Sequence, residues 1–396
     1  MKLEQGLFRL WIVNNFIKNL PVVIHQIFFL TAQLLILYMY GIGYSGSLAY
    51  IGAVSTILAV LINLKWDIEI LVSNHQRLSD SLLDASVTII IMTILISILN
   101  ILIGDFLPLH ILFSAIAIGI HELLVSILFV QRKILTYSFF RTIPALALFC
   151  FALIGFEPEV VWPASFFLSA IFLVLYFRNL FSKVLCDLNV SRIKNIRFIN
   201  NINAAITATI FAVFSASFVI IINFYHGSEY VGLWANTMRI FNSIIFFLLA
   251  ACLPFVLNML KDRELAFEKV KIFFYLWLIF LPIIIVSFFI VSNWGLFIFS
   301  FIQPVDFEIT NTHLSLIFLV GMGISFIGST QGLYQAINKS VILFIMIIIT
   351  LILGLFFINI STLSFTGLIQ TFSFVVLFFF CIISMHLIYH LIFKIR

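Results

Sequence analysis

Apolar stretches of about twenty residues, the length needed to cross the roughly 30 Å hydrocarbon core of a bilayer as a helix, follow one another along most of this chain. Twelve can be counted, at about 17–40, 46–64, 86–104, 110–130, 143–156, 164–181, 203–225, 233–257, 272–291, 312–335, 340–358 and 365–392. In lipid, every backbone N–H and C=O needs a partner within its own segment, so such stretches are read as helices. The intervals between them leave no room for a long soluble domain. Only 9% of the residues are charged, against about a quarter in soluble proteins. The expected fold class is an all-α integral membrane protein of about twelve transmembrane helices. Residues 1–15, MKLEQGLFRLWIVNN, show no signal-peptide pattern, so no cleavage is expected there.

The connecting segments carry a topological signal. Lys2, Arg9 and Lys18 precede or open the first stretch, and Lys65 with Arg77 follow the second. Arg132, Lys133 and Arg141 follow the fourth. Arg178, Lys183, Arg192, Lys194 and Arg197 surround the loop after the sixth. Lys261, Arg263, Lys269 and Lys271 follow the eighth, Lys339 the tenth, and Lys394 with Arg396 the twelfth. The opposite loops hold Asp105, Glu157, Glu159, Glu229, Asp306 and Glu308 and no basic residue. By the positive-inside rule the basic side is cytoplasmic, and an even number of spans puts both termini there. Of 21 Lys and Arg, only Arg239 breaks the pattern.

The longest basic loop falls at mid-chain and divides the sequence into an N-terminal six-helix bundle (1–181), a linker (182–202) and a C-terminal six-helix bundle (203–396). A short echo links the halves. GYSGSLAYIG (43–52), between the first and second stretches, and EYVGLWANTM (229–238), between the seventh and eighth, share Tyr-x-Gly-x-x-Ala. Halves with an even helix count share one topology, as in parallel-repeat transporters, with the substrate path and central cavity between them.

Motifs for soluble chemistry are missing. The sequence has no GxxxxGK[ST], HExxH or GxSxG, and no Cys/His cluster with metal spacing, so no catalytic residue, metal or cofactor is expected. Cys150, Cys186, Cys252 and Cys381 form no CxxC pair and read as reduced. The net charge of +5 has a topological explanation, and nucleic acid is not an expected partner.

Polar residues inside the apolar stretches carry the functional signal. Arg239 lies about two turns into the eighth. Asn236, Arg239, Asn242 and Ser243 share one helix face, which lipid would reject and a water-filled cavity would accept. A charge near the bilayer centre costs roughly 2.5–3.5 kcal/mol on insertion scales, so such a residue is read as functional. The competing reading is a guanidinium that snorkels back to the interface. The first stretch carries a similar stripe: Asn15, Lys18, Asn19, His25, Gln26 and Gln33. Glu122 lies near the centre of the fourth, beside His121, with small residues Ala115, Gly119 and Ser126 on its face. Burial favours a neutral carboxyl, so Glu122 and His121 are candidates for ion coupling, against a packed, hydrogen-bonded pair. Ser325, Ser329, Gln331 and Gln335 of the tenth stretch are weaker candidates for the same path. A cationic, amide-lined cavity suits an anion rich in hydroxyls, because each unpaired hydroxyl moved into hydrocarbon costs on the order of several kcal/mol.

Two segments resemble a known family. GSEYVGLWANTMRIFNSIIFFLLAACLPFVLNMLK (227–261) is similar to the seventh-to-eighth helix region of polysaccharide export flippases, where a Val-Gly-x-aromatic step precedes an Ala and an Arg. LINLKWDIEILVSNHQRLSDSLLDAS (61–86) resembles the second-helix exit of the same family, with Lys65, Trp66 and Asp67 at the basic–aromatic–acidic places and Lys where Arg is more usual. The resemblance is to the O-antigen (Wzx-type) flippases of the multidrug/oligosaccharidyl-lipid/polysaccharide (MOP) exporter superfamily. It implies alternating access in a bacterial inner membrane, with an undecaprenyl-diphosphate-linked oligosaccharide as cargo. Arg239 would be the family's cavity arginine, and the implied partners are the bilayer, a polysaccharide polymerase and a chain-length regulator. The rival readings are a multidrug exporter of the same superfamily, for which an acidic cavity would be expected, a membrane polysaccharide polymerase, for which a large outer loop would be expected, and an assembly scaffold.

Overall fold

The computed structural model describes residues 20–64, 66, 70, 78–104, 107–131, 133–179, 182, 202–261, 266–302, 309–337, 340–361 and 364–393. Regular structure among them is entirely α-helical. One run, Leu20–Asn63, is divided at Gly41 into α1 and α2. There follow α3 (Leu78–Leu102), α4 (Leu109–Val130), α5 (Ile134–Leu153), α6 (Pro158–Tyr176), α7 (Ile202–His226), α8 (Ser228–Lys261), α9 (Ala266–Ile302), α10 (Asn311–Ala336), α11 (Ser340–Ser361) and α12 (Phe365–Phe393). These twelve long helices match the twelve apolar stretches in order.

Three boundaries depart from expectation with consequences for function. The fifth helix begins at Ile134 and not near 143, so Arg141 lies inside a transmembrane helix and not in a basic loop. Segments 43–52 and 229–238, read as connections, are instead the opening turns of α2 and α8.

Buried side chains gather in two cores. One draws on α1–α6, with Ile36, Leu82, Leu124, Leu148 and Leu173. The other draws on α7–α12, with Phe214, Ile245, Phe273, Phe318, Ile347 and Phe379. The division falls between α6 and α7; the linker expected at 182–202 lies outside the described residues except at its two ends. The bundles meet where α2 crosses α7, at Val60, Ala208 and Ala212, and most broadly where α8 packs on α1 and α2.

That second contact depends on two glycines. A Cβ on Gly46 would stand 1.8 Å from the Ser228 carbonyl oxygen, and one on Gly232 would stand 2.1 Å from that of Ile42. Each contact is the other's image under an internal repeat longer than the echo read from sequence: Gly41-x-x-Tyr44-x-Gly46-x-x-Ala49 against Gly227-x-x-Tyr230-x-Gly232-x-x-Ala235. Gly41 (φ 80°, ψ −179°) and Gly227 (φ 83°) both turn the chain through backbone geometry that a Cβ disfavours. The tyrosines follow the same symmetry. Tyr44 Oη donates to Phe156 O (2.6 Å) at the α5–α6 corner, and the Tyr230 ring lies 4.8 Å from that of Phe365, at the start of α12. The halves are thus related by a pseudo-two-fold axis through the α2–α8 crossing.

Candidate functional site

Arg239 lies eleven residues into α8, about 16 Å along the axis from Ser228. Its Nη1 donates to Asn236 Oδ1 (3.1 Å) and to Ser45 Oγ (3.3 Å), and Ser45 Oγ donates to Asn236 Oδ1 (3.1 Å). Ser45 belongs to α2 of the other bundle, so the guanidinium reaches back one turn into the seam between bundles and not outward to lipid. No acidic group pairs with it among the described residues.

Beside it lies a cavity of about 250 Å³, lined by Gln26, Phe29, Leu30 and Gln33 of α1, Trp162 of α6, and Arg239 and Ser243 of α8. Two residues of this wall carry a buried polar atom with no hydrogen-bond partner among the described residues: Gln33 Oε1 and Trp162 Nε1. An unmet buried polar group costs about 1–3 kcal/mol, and both atoms are covered by their neighbours and not open to the cavity. Trp162 is held there by Gly52 of α2, where a Cβ would stand 2.7 Å from the indole Cζ2.

The polar stripe of α8 divides. Arg239 and Ser243 line the cavity, and Asn236 is buried behind them as a hydrogen-bond partner. Asn242, expected on the cavity wall, faces α10 instead: its Nδ2 lies 3.5 Å from Met238 Sδ and occupies the space left by Gly321. On α1, Gln26 and Gln33 line the cavity. His25 lies on α1 by its backbone; its side chain, and Lys18 altogether, fall outside the described residues. Ser329 accepts from Trp277 Nε1 (3.1 Å) within the C-terminal core and so does not line the path.

A second cavity of about 150 Å³ adjoins the first, sharing Gln26 and Phe29 and adding His121 and Glu122 of α4, Arg141 and Pro144 of α5, and Phe166 of α6. Glu122 Oε2 and Arg141 Nη2 are 2.5 Å apart, an ion pair within the membrane region, and the guanidinium lies 5.2 Å from the Tyr137 ring centroid. Sequence reasoning missed Arg141, although the signal was there. A fifth span at 143–156 is too short to cross a bilayer, and extending it toward its N-terminus takes in Arg141.

His121 is committed to the scaffold by a chain of causes. Pro144 has no N–H, so the Phe140 carbonyl one turn earlier loses its helical donor. Ser169 Oγ of α6 supplies one at 3.3 Å. A hydroxyl has a single hydrogen, so His121 Nδ1, 3.0 Å from the same oxygen, is assigned as the donor to it. The imidazole also meets the Phe166 ring edge-on at 5.8 Å. Among the described residues no group of three His, Cys, Asp or Glu is placed to hold a metal, and Cys150 and Cys381 are free thiols.

No family model matches the chain, and no curated protein is similar to it in sequence. Solved structures are similar in fold. The MATE multidrug transporter DinF-BH, in complex with R6G, superposes with TM-score 0.63 at 13% identity over 99% of this chain and 97% of its own. The Vibrio cholerae MATE transporter VcmN, solved as a mutant, gives 0.62 at 11% identity over 97% and 98%. The eukaryotic MATE transporter AtDTX14 gives 0.56 at 14% identity over 97% and 96%. A further match is described as a multidrug resistance MATE transporter of the MOP superfamily. The chain therefore has the fold of these MATE transporters, and none of these matches supports the O-antigen branch.

Proposed function

We propose that this chain, with the fold of the MATE transporters, is a secondary transporter that exports an amphipathic compound carrying negative charge. The two bundles rock about the α2–α8 seam so that the cavity opens to one side at a time. The neighbouring structures are multidrug transporters, and they support a drug-like cargo better than the lipid-linked oligosaccharide suggested by the sequence resemblance. The sign of the charge rests on Arg239, a cavity guanidinium with hydrogen-bond partners but no acidic one among the described residues. A cationic drug would meet that charge unscreened; an anion would be paired by it.

An undecaprenyl-diphosphate-linked oligosaccharide is the second reading. It is favoured by Arg239, since a guanidinium pairs bidentately with phosphate, and by the Gln26 and Gln33 side chains in the same cavity wall. In that reading a polymerase and a chain-length regulator become the partners. With the basic loops cytoplasmic, both readings move cargo outward across a bacterial inner membrane. Proteoliposomes containing the purified protein should move a fluorescent organic anion, with a loss of about tenfold or more in Arg239→Ala. Transport of the R6G cation, unchanged by Arg239→Ala and unaccompanied by anion transport, would refute the charge assignment.

A further inference from the structure

We infer that the corner where α5 begins and α6 ends, at Lys133, Tyr176 and Arg178, holds the headgroup of an anionic phospholipid of the cytoplasmic leaflet. This site lies outside both cavities and does not depend on what they carry.

Helix ends bring the three side chains together. Lys133 immediately precedes the first turn of α5, and Tyr176 is the last residue of α6. The positive-inside rule puts this corner on the cytoplasmic side. Lys133 Nζ donates to Tyr176 Oη (3.4 Å) and stands 5.5 Å from the centroid of its ring. That ring is itself held edge-on by Phe140 (5.4 Å) and Phe177 (5.1 Å). Arg178 follows two residues later, and both cations are exposed. Neither has an acidic partner among the described residues.

The corner therefore offers hydrogen-bond donors. Lys133 keeps two N–H groups beyond the one given to Tyr176, and Arg178 keeps its guanidinium fork. The Tyr176 hydroxyl accepts from Lys133 and so has its own hydrogen left to give. Such a set matches an anion with several acceptor oxygens, which a phosphodiester provides. Basic pockets between helices on the cytoplasmic side are where anionic headgroups lodge.

The surface below the corner decides between a lipid and a soluble phosphate. On α5, Leu135, Phe139 and Leu146 are exposed along one face, and on α6 Phe172 and Leu175 are exposed. Apolar stripes thus run from the cations toward the bilayer centre on both helices, where acyl chains can lie against them. A free phosphate would gain nothing from these stripes, whereas a phospholipid joins charge above to hydrocarbon below. The same two helices line the cavities, through Arg141 and Pro144 of α5 and Trp162 and Phe166 of α6. A lipid seated here ties together the ends of two helices that shape the cargo path.

The test is native mass spectrometry of the purified, delipidated full-length protein, titrated with phosphatidylglycerol or phosphatidylcholine of identical acyl chains. The first phosphatidylglycerol should bind about twentyfold tighter than the first phosphatidylcholine, the scale of two basic residues at about fivefold each. Lys133→Gln and Arg178→Gln should each weaken phosphatidylglycerol about fivefold, and together they should abolish the preference. Tyr176→Phe, which keeps the ring and removes the hydroxyl, should weaken it by a smaller factor. Phosphatidylcholine binding should stay the same in every variant, which guards against misfolding. Lys2→Gln with Lys394→Gln removes the same charge elsewhere in the chain and should leave the preference intact. Equal affinity for the two lipids in the parent protein, or an equal loss in the Lys2/Lys394 variant, would overturn the site. Displacement of phosphatidylglycerol by glycerol 1-phosphate at comparable concentration would overturn the lipid assignment in favour of a soluble anion.

Discussion

Gly46→Ala tests the seam between the bundles. In an isolated helix this change stabilises by about 0.8–1.0 kcal/mol, because Gly is the poorer helix former. Here the new Cβ would stand 1.8 Å from the Ser228 carbonyl oxygen, and ordinary contact begins at 3.4 Å, so α2 and α8 must part locally by about 1.6 Å. The obstacle is backbone within a helix and cannot rotate away. Overpacking of this kind costs about 1–3 kcal/mol, which exceeds the helix-propensity gain over most of that range. The cost falls only on conformations in which the two crossings touch, so the population of those conformations should fall by up to roughly thirtyfold, at 1.4 kcal/mol per decade. Cross-linking reads this directly. A Cβ at Gly43 would lie 4.0 Å from Ser228 Oγ, so Gly43→Cys with Ser228→Cys, in a background lacking the native cysteines, should form a disulfide on mild oxidation. Adding Gly46→Ala, or its pseudo-symmetric counterpart Gly232→Ala, should slow the cross-link by several-fold to tenfold or more. An unchanged rate in both would refute the glycine-dependent seam.

Three further outcomes follow from the geometry. Gly52→Ala would place a Cβ 2.7 Å from the Trp162 indole and should shift that residue's fluorescence in a protein whose other tryptophans are replaced, whereas an unchanged spectrum would mean that the indole is not held there. Glu122→Ala removes the carboxylate from Arg141; breaking a buried pair costs about 3–5 kcal/mol, discounted here because both groups are partly exposed, so a lowered melting temperature with recovery in Glu122→Arg/Arg141→Glu is expected, and no loss in the single variant would deny the pair a structural role. Cysteines at the exposed positions Glu157 and Thr310 should react with an impermeant maleimide added outside the cell, and one at exposed Lys133 only after permeabilisation; the reverse pattern would invert the topology and, with it, the direction of transport.

The helices were legible because lipid imposes one rule on every span, a length of apolar residues with its backbone bonds satisfied internally. That rule locates spans better than it locates their ends. The opening turn of α2, Ile42-Gly43-Tyr44-Ser45-Gly46, has the small and polar composition of a connecting loop, yet it is helical. Those small residues are there because a second helix backbone lies against them, and a long-range contact of that kind leaves no periodic trace in a single strand of sequence. The repeat from Gly41 to Ala49 and from Gly227 to Ala235 was nevertheless open to inspection. Its outermost glycines were overlooked because their role, a turn of positive φ, differs from the close approach required of Gly46 and Gly232.

The site was legible where a lone charge broke an otherwise regular pattern, and it was hidden where a charge conformed to the pattern. Arg239 stood out because every other basic residue could be assigned to the cytoplasmic side. Arg141 could be assigned there too, following Arg132 and Lys133 in the chain, so the positive-inside rule absorbed it. Its helix, however, starts at Ile134 and carries it about 10 Å along the axis, to the level where Glu122 lies about 12 Å back from the end of α4. Since α4 and α5 run antiparallel from that shared end, a carboxylate eight residues before Val130 and a guanidinium seven residues after Ile134 are brought to one depth by helix rise alone. Pairing at that depth explains how the membrane accommodates an acidic residue in α4 that, read by itself, looked like an isolated titratable group.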